Sequence, residues 1–241
     1  MLEAINLSKS YGGHQALIDL NLSVAPGEVF CLLGANGAGK TTTINLFMGF
    51  IQPGAGYVMV NNLDITGQSG ETRKHLAYIP ENLNLYGNLT GLENLQFFAG
   101  LGGDKPDKSS AEQLLRSVGL QSDAVQKRVS QYSKGMRQKV GIAIAKAKQA
   151  DNLLLDEPTS GLDPQASNDF ARLLQDMRQN NVAILMATHD LFRAKDSGTH
   201  IGIMKAGKLI HSLKSNEITL TELEHLYLET MKSEGHVEVS H

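Results

Sequence analysis

The chain has few cysteines, no long hydrophobic run and no marked excess of charge of either sign. Cys31 is its one cysteine among 241 residues, so no disulfide framework can form, which suits a reducing cytoplasm. No stretch approaches the roughly 18 consecutive apolar residues of a membrane-spanning helix. Met1 is followed by neither a basic segment nor a long apolar run, so no secretory signal is expected. The formal net charge of -3 gives no general nucleic-acid footprint, and no nucleic-acid partner is expected.

The rest of the composition favours one globular α/β domain with an inserted subdomain. Apolar residues make up 41% and charged residues 20% of the chain, as is usual in soluble domains. The first third alternates apolar and polar residues between turn pairs, which predicts strands. Strands and helices alternate from residue 152 onward, as a parallel sheet requires. The expected divisions are one domain over residues 1–232, a helical subdomain at approximately 82–150, and a polar tail without ordered structure at 233–241.

Three capping signals predict where helices begin. Thr90 with Glu93 fits a capping box, and Ser109 with Glu112 repeats that signal. Asp163 is a suitable N-cap residue and is followed by a proline, which favours the first helical position. We therefore expect helices to start at these three places, two of them in the helical middle of the chain.

Residues 34–41 spell G-x-x-x-x-G-K-T, the most informative motif of the chain. Its glycines let backbone N–H groups surround phosphate oxygens, Lys40 reaches the terminal phosphates, and the Thr41 hydroxyl completes a Mg2+ shell. An apolar segment suited to a buried strand precedes the motif and a helical pattern follows it, so a nucleoside triphosphate is the predicted ligand. The residues expected to contact it are Asn36, Gly37, Ala38, Gly39, Lys40, Thr41 and Thr42.

Two carboxylates, Asp156 and Glu157, end the apolar segment Leu153-Leu154-Leu155. At a strand end beside the phosphate loop, Asp156 is suited to hold Mg2+ through its water shell. Glu157 is suited to polarise or orient the water that attacks the γ-phosphate. A strand that ends in solvated acids is common, so this pair alone does not distinguish a catalytic site from an ordinary strand end.

Three further segments occur in a fixed order around this pair. Residues 132–138 (Y-S-K-G-M-R-Q) precede it, residues 158–163 (P-T-S-G-L-D) follow it directly, and Thr188-His189-Asp190 comes after the next strand. With this motif order the chain resembles the ABC (ATP-binding cassette) ATPases over essentially its whole length. The resemblance implies an α/β fold: a P-loop NTPase core with a mainly parallel sheet, an N-terminal antiparallel β subdomain and an inserted α-helical subdomain.

The resemblance also implies roles for single residues in binding and hydrolysing ATP. Asp156 is the Walker B aspartate and holds Mg2+ together with Thr41. Glu157 is the catalytic glutamate, and His189 is the histidine that contacts the γ-phosphate. Tyr11 matches the aromatic residue that stacks on the adenine base. The implied cofactors are therefore ATP and Mg2+.

Two motifs depart from the family pattern. The signature segment, usually L-S-G-G-Q, is Y-S-K-G-M at residues 132–136, so that Ser133 and Gly135 are retained and Lys134 is added. Glu81 stands where the family commonly has glutamine. As an oxygen acceptor it is still expected to reach Mg2+ or the attacking water, so we place it among both the metal-binding and the catalytic residues. Both departures resemble the ATPase subunits of ABC-2-type exporters.

The resemblance implies two protein partners. The first is a second ABC ATPase subunit, either another copy of this chain, in the expected homodimer, or a homologous partner. The two subunits would close head to tail around two MgATP, with Ser133, Gly135 and Asp163 of one chain serving the ATP of the other. The second is a separate polytopic membrane permease, which would place the chain peripherally at the cytoplasmic face of the inner or plasma membrane. Apolar residues after Glu81, among them Tyr86, either dock that permease or pack the helical subdomain.

The main alternative is a soluble, non-transport ABC ATPase of translation or DNA maintenance. Such proteins usually carry paired cassettes or a long insertion, whereas this chain has one phosphate loop, one signature segment and no such insertion. A subunit that binds ATP without hydrolysing it would not need Glu157, Asp163 and His189 together. A P-loop kinase or GTPase does not explain the Ser133 segment. The sequence therefore predicts an export ATPase, and it does not indicate the cargo.

Overall fold

A computed structural model describes residues 1–67, 69–103 and 105–232, and it contains two sheets. The first is antiparallel, in the order β2-β1-β4-β5, with strands β1 (Leu2–Tyr11), β2 (His14–Val24), β4 (Ala55–Val60) and β5 (Leu63–Asp64). The second has the order β10-β9-β3-β8-β7-β6, with strands β3 (Val29–Leu33), β6 (Leu76–Ile79), β7 (Asn152–Asp156), β8 (Ala183–Thr188), β9 (His200–Lys205) and β10 (Lys208–Lys214). All its pairings are parallel except that of β10 with β9. The predicted fold class is confirmed, and the predicted tail at 233–241 lies outside the described residues.

The helices follow the strands in the expected alternation, and α3 to α6 all fall between β6 and β7. They are α1 (Lys40–Phe47), α2 (Ser69–Lys74), α3 (Gly91–Leu101), α4 (Lys108–Ser117), α5 (Ser122–Val125), α6 (Lys134–Ala147), α7 (Pro164–Gln179), α8 (Leu191–Ser197) and α9 (Leu220–Lys232). Short 3₁₀ turns occur at Val129–Gln131 and Ser215–Glu217. Among the described residues, none of the helices has both the length and the apolar character needed to cross a membrane.

Two of the three predicted helix starts are correct. Thr90 caps α3 in a reciprocal capping box, and Asp163 caps α7 by accepting a hydrogen bond from the N–H of Ala166 at 2.8 Å. The prediction from Ser109 is wrong, because α4 begins two residues after Pro106. The carboxylate of Asp107 accepts the hydrogen bond from the N–H of Ser110 at 2.7 Å, which places Ser109 inside the first turn.

The central strand β3 separates two hydrophobic cores. All five of its residues are buried, as expected of a parallel strand that is covered on both faces. Phe30 and Leu32 belong to the core shared with the antiparallel sheet and α1. Cys31 and Leu33 belong to the core shared with α3, α6 and α7, because successive side chains point to opposite faces. Cys31 is fully buried, and this burial raises the pKa of its thiol far above the ordinary value.

Candidate nucleotide site

A cleft of about 490 Å³ opens where β3 and β7 end, beside the glycine-rich loop. Ligands of α/β proteins bind in this position, outside the carboxyl ends of the parallel strands. We call it the nucleotide cleft. Of the residues predicted from the sequence, those that line it are Tyr11, Asn36, Gly37, Ala38, Gly39, Lys40, Thr41, Thr42, Glu81, Asp156 and Glu157.

The glycine-rich loop has the backbone that phosphate binding requires. Gly39 has a φ of 107°, and a β-carbon there would lie 2.7 Å from the carbonyl oxygen of Ala16, so glycine is needed both for the conformation and for the space. The first hydrogen bond of α1 runs from the N–H of Thr43 to the Gly39 carbonyl. The preceding N–H groups at the start of the helix have no partner within it, and they can surround an anion.

Lys40 lies buried inside this loop and reaches the catalytic region. Its ammonium group donates to the carbonyl oxygens of Gly34 at 2.6 Å and Ala35 at 3.3 Å. It also lies 3.6 Å from Oε1 of Glu157. The cation is therefore fixed between the loop that would hold the phosphates and the carboxylate that would orient water.

Thr41 and Asp156 bring two oxygen donors together. The Thr41 hydroxyl donates to Oδ1 of Asp156 at 3.4 Å. Burial raises the pKa of Asp156; the hydrogen bond from Thr41 and the charge of Lys40 oppose this shift, and the charges of Glu157 and Glu81 add to it. A hydroxyl beside a carboxylate suits Mg2+, which is usually held by one or two protein oxygens together with phosphate oxygens and water. The donor set therefore fits the predicted metal.

Glu157 is held in an unusual backbone conformation between two partners. Its φ of 48° lies in the left-handed region, at a cost of roughly 1–3 kcal/mol. Its N–H donates to the Ala187 carbonyl at 2.9 Å, which continues the pairing of β7 with β8. Nδ1 of His189 lies 2.9 Å from Oε2 of Glu157. The predicted histidine thus contacts the predicted catalytic glutamate, although it is not among the residues that line the cleft.

Glu81 lies at the edge of the cleft and contacts two other predicted segments. Its Oε1 accepts a hydrogen bond from the hydroxyl of Ser160 at 3.0 Å, and it lies 3.8 Å from Nζ of Lys134. Gln138 of α6 donates to the backbone carbonyl of Glu81 at 3.3 Å. These contacts connect the edge of the cleft with the start of α6 and with the loop after β7.

The remaining predicted residues form a second group on a separate surface. Ser133 caps α6 by accepting a hydrogen bond from the N–H of Met136 at 3.2 Å. Ser133, Gly135 and Asp163 line a shallow pocket of about 150 Å³, which we call the signature pocket. A β-carbon at Gly135 would lie 3.0 Å from that of Ala166, so the residue has little room for a side chain. None of the three lines the nucleotide cleft.

The sequence did not indicate two of the residues that line the cleft, His14 and Ala16. His14 pairs with Tyr11 across the β1–β2 turn, so the Gly12-Gly13 turn signal was the available clue. Tyr11 itself is 45% exposed, and Nζ of Lys9 lies 5.3 Å from the centre of its ring. An exposed ring at the mouth of the cleft is available for stacking on a base.

Comparison with known proteins identifies the family. The family model described as ABC transporter matches residues 17–160. The probable multidrug ABC transporter ATP-binding protein of Escherichia coli (strain K12) is 35% identical over 214 residues, which cover 88% of this chain and 37% of that protein. The bacitracin transport ATP-binding protein of Bacillus licheniformis is 34% identical over 214 residues, which cover 88% of this chain and 69% of that protein. The chain thus spans little more than a third of the first relative.

A solved structure adds information on the assembly of a similar protein. It is a dimeric ATP-binding cassette in a post-hydrolysis state, bound to ADP and Pi. It superimposes with a TM-score of 0.80 at 26% sequence identity, over 89% of this chain and 99% of that one. In that protein, therefore, a fold of this kind forms a dimer and holds the products of ATP hydrolysis.

Proposed function

This chain belongs to the ABC transporter family, and from that premise we propose that it is the ATP-hydrolysing subunit of an exporter, dimerising head to tail and driving a separate membrane subunit. One observation carries the proposal: the predicted nucleotide residues lie on two surfaces. Ser133, Gly135 and Asp163 line the signature pocket and not the nucleotide cleft. A second copy would bring its signature pocket to the nucleotide. The dimeric cassette bound to ADP and Pi supports this arrangement.

In the proposed reaction, the cleft orients a water molecule towards the γ-phosphate of ATP. Lys40 and the N–H groups at the start of α1 bind the terminal phosphates. Glu157, held by His189 and Lys40, orients the water and accepts its proton. The water oxygen then forms a bond to the γ-phosphorus while the bond to the bridging oxygen breaks, and ADP and phosphate are released. His189 adds a contact to the γ-phosphate.

We place Mg2+ at Thr41 and Asp156, with Glu81 reaching it or the attacking water from the edge of the cleft. When bound, the ion neutralises negative charge that develops on the phosphate oxygens. The protein's own contribution is to keep the Thr41 hydroxyl and the Asp156 carboxylate adjacent. It does so because α1 begins just after β3, and β3 and β7 end at the same edge of the parallel sheet.

An aromatic cluster supports a docking surface for the membrane subunit. The rings of Tyr86, Phe97 and Phe98 lie with centroid separations of 5.0 to 5.8 Å, and Tyr86 is 48% exposed. Beside it is a groove of about 390 Å³ that Leu83, Leu85 and Phe98 help to line. Leu85 also packs against the core. We therefore assign the packing role to Leu85 and the docking role to the exposed Tyr86. Exposed, clustered aromatic rings are typical of a surface that binds another protein.

The proposed location and transport direction follow from this assembly. A subunit that docks a polytopic permease would be peripheral, at the cytoplasmic face of the inner or plasma membrane. Two observations support export. The signature segment and Glu81 resemble those of ABC-2-type exporters, and two relatives are named for multidrug and bacitracin transport. Relatives of this kind suggest a drug or antibiotic as one class of cargo to test.

The experiment that tests the proposal is purification of the tagged chain from detergent-solubilised membranes of its own host. Mass spectrometry then identifies the proteins that co-purify. We expect a stoichiometric polytopic membrane protein, whose identity would narrow the cargo. A chain found free of membrane proteins, and together with ribosomes or DNA-maintenance factors, would instead support the soluble alternative and contradict the export proposal.

A further inference from the structure

Two charged residues that depart from the family pattern, Glu81 and Lys134, lie next to one another in space. Nζ of Lys134 is 3.8 Å from Oε1 of Glu81, although Glu81 follows β6 and Lys134 is the first residue of α6. The same carboxylate oxygen accepts the hydrogen bond from Ser160, in the loop after β7. One carboxylate therefore connects three segments that the sequence keeps far apart.

Lys134 occupies an unfavourable place in its own helix. It follows the N-cap residue Ser133, where the unpaired N–H groups give the helix end a partial positive charge that disfavours a cation. The first turn of α6 contains no acidic residue that could offset the lysine. Glu81 supplies this missing negative charge from another part of the chain, and its backbone is held against α6 by Gln138.

The negative charge of Glu81 is unfavourable in the cleft, as the positive charge of Lys134 is at the start of α6, unless a cation lies beside it. It lines the same cleft as Asp156 and Glu157, and it is one of the charges that raise the pKa of Asp156. A third carboxylate near a bound triphosphate opposes binding by electrostatic repulsion. Lys134 offsets this charge from the side of the carboxylate that faces α6. Each departure from the pattern thus removes the unfavourable charge of the other.

We propose that Lys134 is a positioning residue for ATP hydrolysis, which holds the Glu81 carboxylate at the edge of the nucleotide cleft and balances its charge. Glu81 and Lys134 then act as one unit in place of an uncharged glutamine and glycine. The inference rests on the proposed role of Glu81 at the metal or the attacking water. The pair is partly exposed, with 27% of the Lys134 side chain and 47% of the Glu81 side chain accessible. Because an ion pair exposed to solvent adds little to the free energy of unfolding, its main effect is on where the Glu81 carboxylate lies.

A double-mutant cycle on the purified full-length chain tests this inference. The variants are Glu81→Gln, Lys134→Gln and the double variant, and kcat and KM for ATP are measured at several Mg2+ concentrations. We expect each single substitution to lower kcat by about fivefold. The double variant should also lose about fivefold, and not the product of the two losses, because the effects of substitutions at residues that contact one another and act together are not additive. Lys134→Arg keeps the charge and should retain kcat within about twofold.

A matched control comes from the same helix. Lys146 of α6 pairs with Asp176 of α7, outside the nucleotide cleft, and Lys146→Gln should retain the kcat of the unchanged chain. Thermal unfolding of every variant is recorded alongside, and the midpoints should agree, since the expected effect lies in catalysis.

Losses that multiply in the double variant would overturn the inference. Unchanged kcat in Lys134→Gln would also overturn it, as would a loss in Lys134→Arg as large as that in Lys134→Gln. These outcomes differ from a failure of the export proposal, because the cycle follows hydrolysis by the chain alone and does not depend on which membrane protein co-purifies.

Discussion

Nδ1 of His189 lies 2.9 Å from Oε2 of Glu157, and the backbone N–H of His189 donates to the same oxygen at 3.3 Å. The two residues follow β7 and β8, which are neighbours in the parallel sheet. The other carboxylate oxygen, Oε1, faces Lys40 at 3.6 Å. The register of the sheet therefore sets the position of the glutamate, and each of its oxygens has its own partner.

Glu157→Gln should remove hydrolysis while preserving ATP binding. The amide keeps the size of the side chain but cannot accept the proton of water, so we expect kcat to fall by at least about 100-fold. ATP should then hold two chains together, which size-exclusion chromatography with light scattering measures at saturating MgATP. Glu112→Gln on α4 is the matched control. A variant that stays monomeric under these conditions would count against the head-to-tail dimer.

His189→Ala should lower kcat by about 10- to 100-fold with little change in ATP affinity. The substitution removes the ring that faces Oε2 of Glu157 and leaves the backbone contact in place. His189→Asn should lose less, because its amide can still donate to the carboxylate from a similar position. Phosphate release and equilibrium nucleotide binding measure the two quantities. Full activity of the alanine variant would show that the histidine does not position the glutamate.

Asp156→Asn should stabilise the nucleotide-free chain and abolish Mg2+-dependent hydrolysis. Burial raises the pKa of Asp156 in the folded state, so the folded chain holds this proton more tightly than the unfolded chain does. The protonated carboxyl therefore favours the folded state. This stabilisation is complete below the pKa of the unfolded chain and is lost as the pH rises through the pKa of the folded chain. At neutral pH the ionised group therefore lowers the free energy of unfolding, and the neutral amide removes this cost.

The measurement for Asp156→Asn is thermal unfolding across a pH series. The midpoint should rise by a few degrees at neutral pH, and the gain should shrink as the pH falls through the raised pKa of the parent carboxyl and disappear below its ordinary, unfolded pKa. Asp176→Asn, at a half-exposed carboxylate, should show no comparable gain. A lower midpoint for Asp156→Asn at neutral pH would contradict the prediction.

Tyr86→Asp should detach or uncouple the membrane partner and leave ATP binding intact. A carboxylate placed in the aromatic cluster would have to be desolvated when the partner docks, which is unfavourable. Tyr57→Asp is a suitable control, because Tyr57 is similarly exposed, at 41%, on the antiparallel sheet. Co-purification from membranes and nucleotide binding are measured for both variants. Unchanged assembly of the Tyr86 variant would refute the docking role.

Much of the site could be predicted because many of its functional residues belong to short motifs of consecutive residues. The glycine-rich loop, the strand that ends at Asp156 and the cap of α7 each depend on a few neighbours, and local spacing determines their geometry. The predicted cap at Ser109 was wrong even at short range, because the carboxylate of Asp107 accepts the capping hydrogen bond instead.

Contacts between distant segments could not be predicted in this way. The meeting of Glu81 with Lys134 depends on how α6 packs beside β6, and His14 enters the cleft through the pairing of β1 with β2. Nor does the sequence indicate the left-handed backbone of Glu157, since a glutamate favours other conformations.

The burial of Cys31 makes the chain convenient for spectroscopy. Its sulfur is inaccessible, and its thiolate form is suppressed by the raised pKa, so a maleimide dye added at neutral pH should not react with the folded chain. A cysteine introduced at an exposed position away from the aromatic cluster, for example Tyr57→Cys, would then carry the only label without further engineering. Fluorescence could follow the approach of two chains, or of a chain and its membrane partner, in real time.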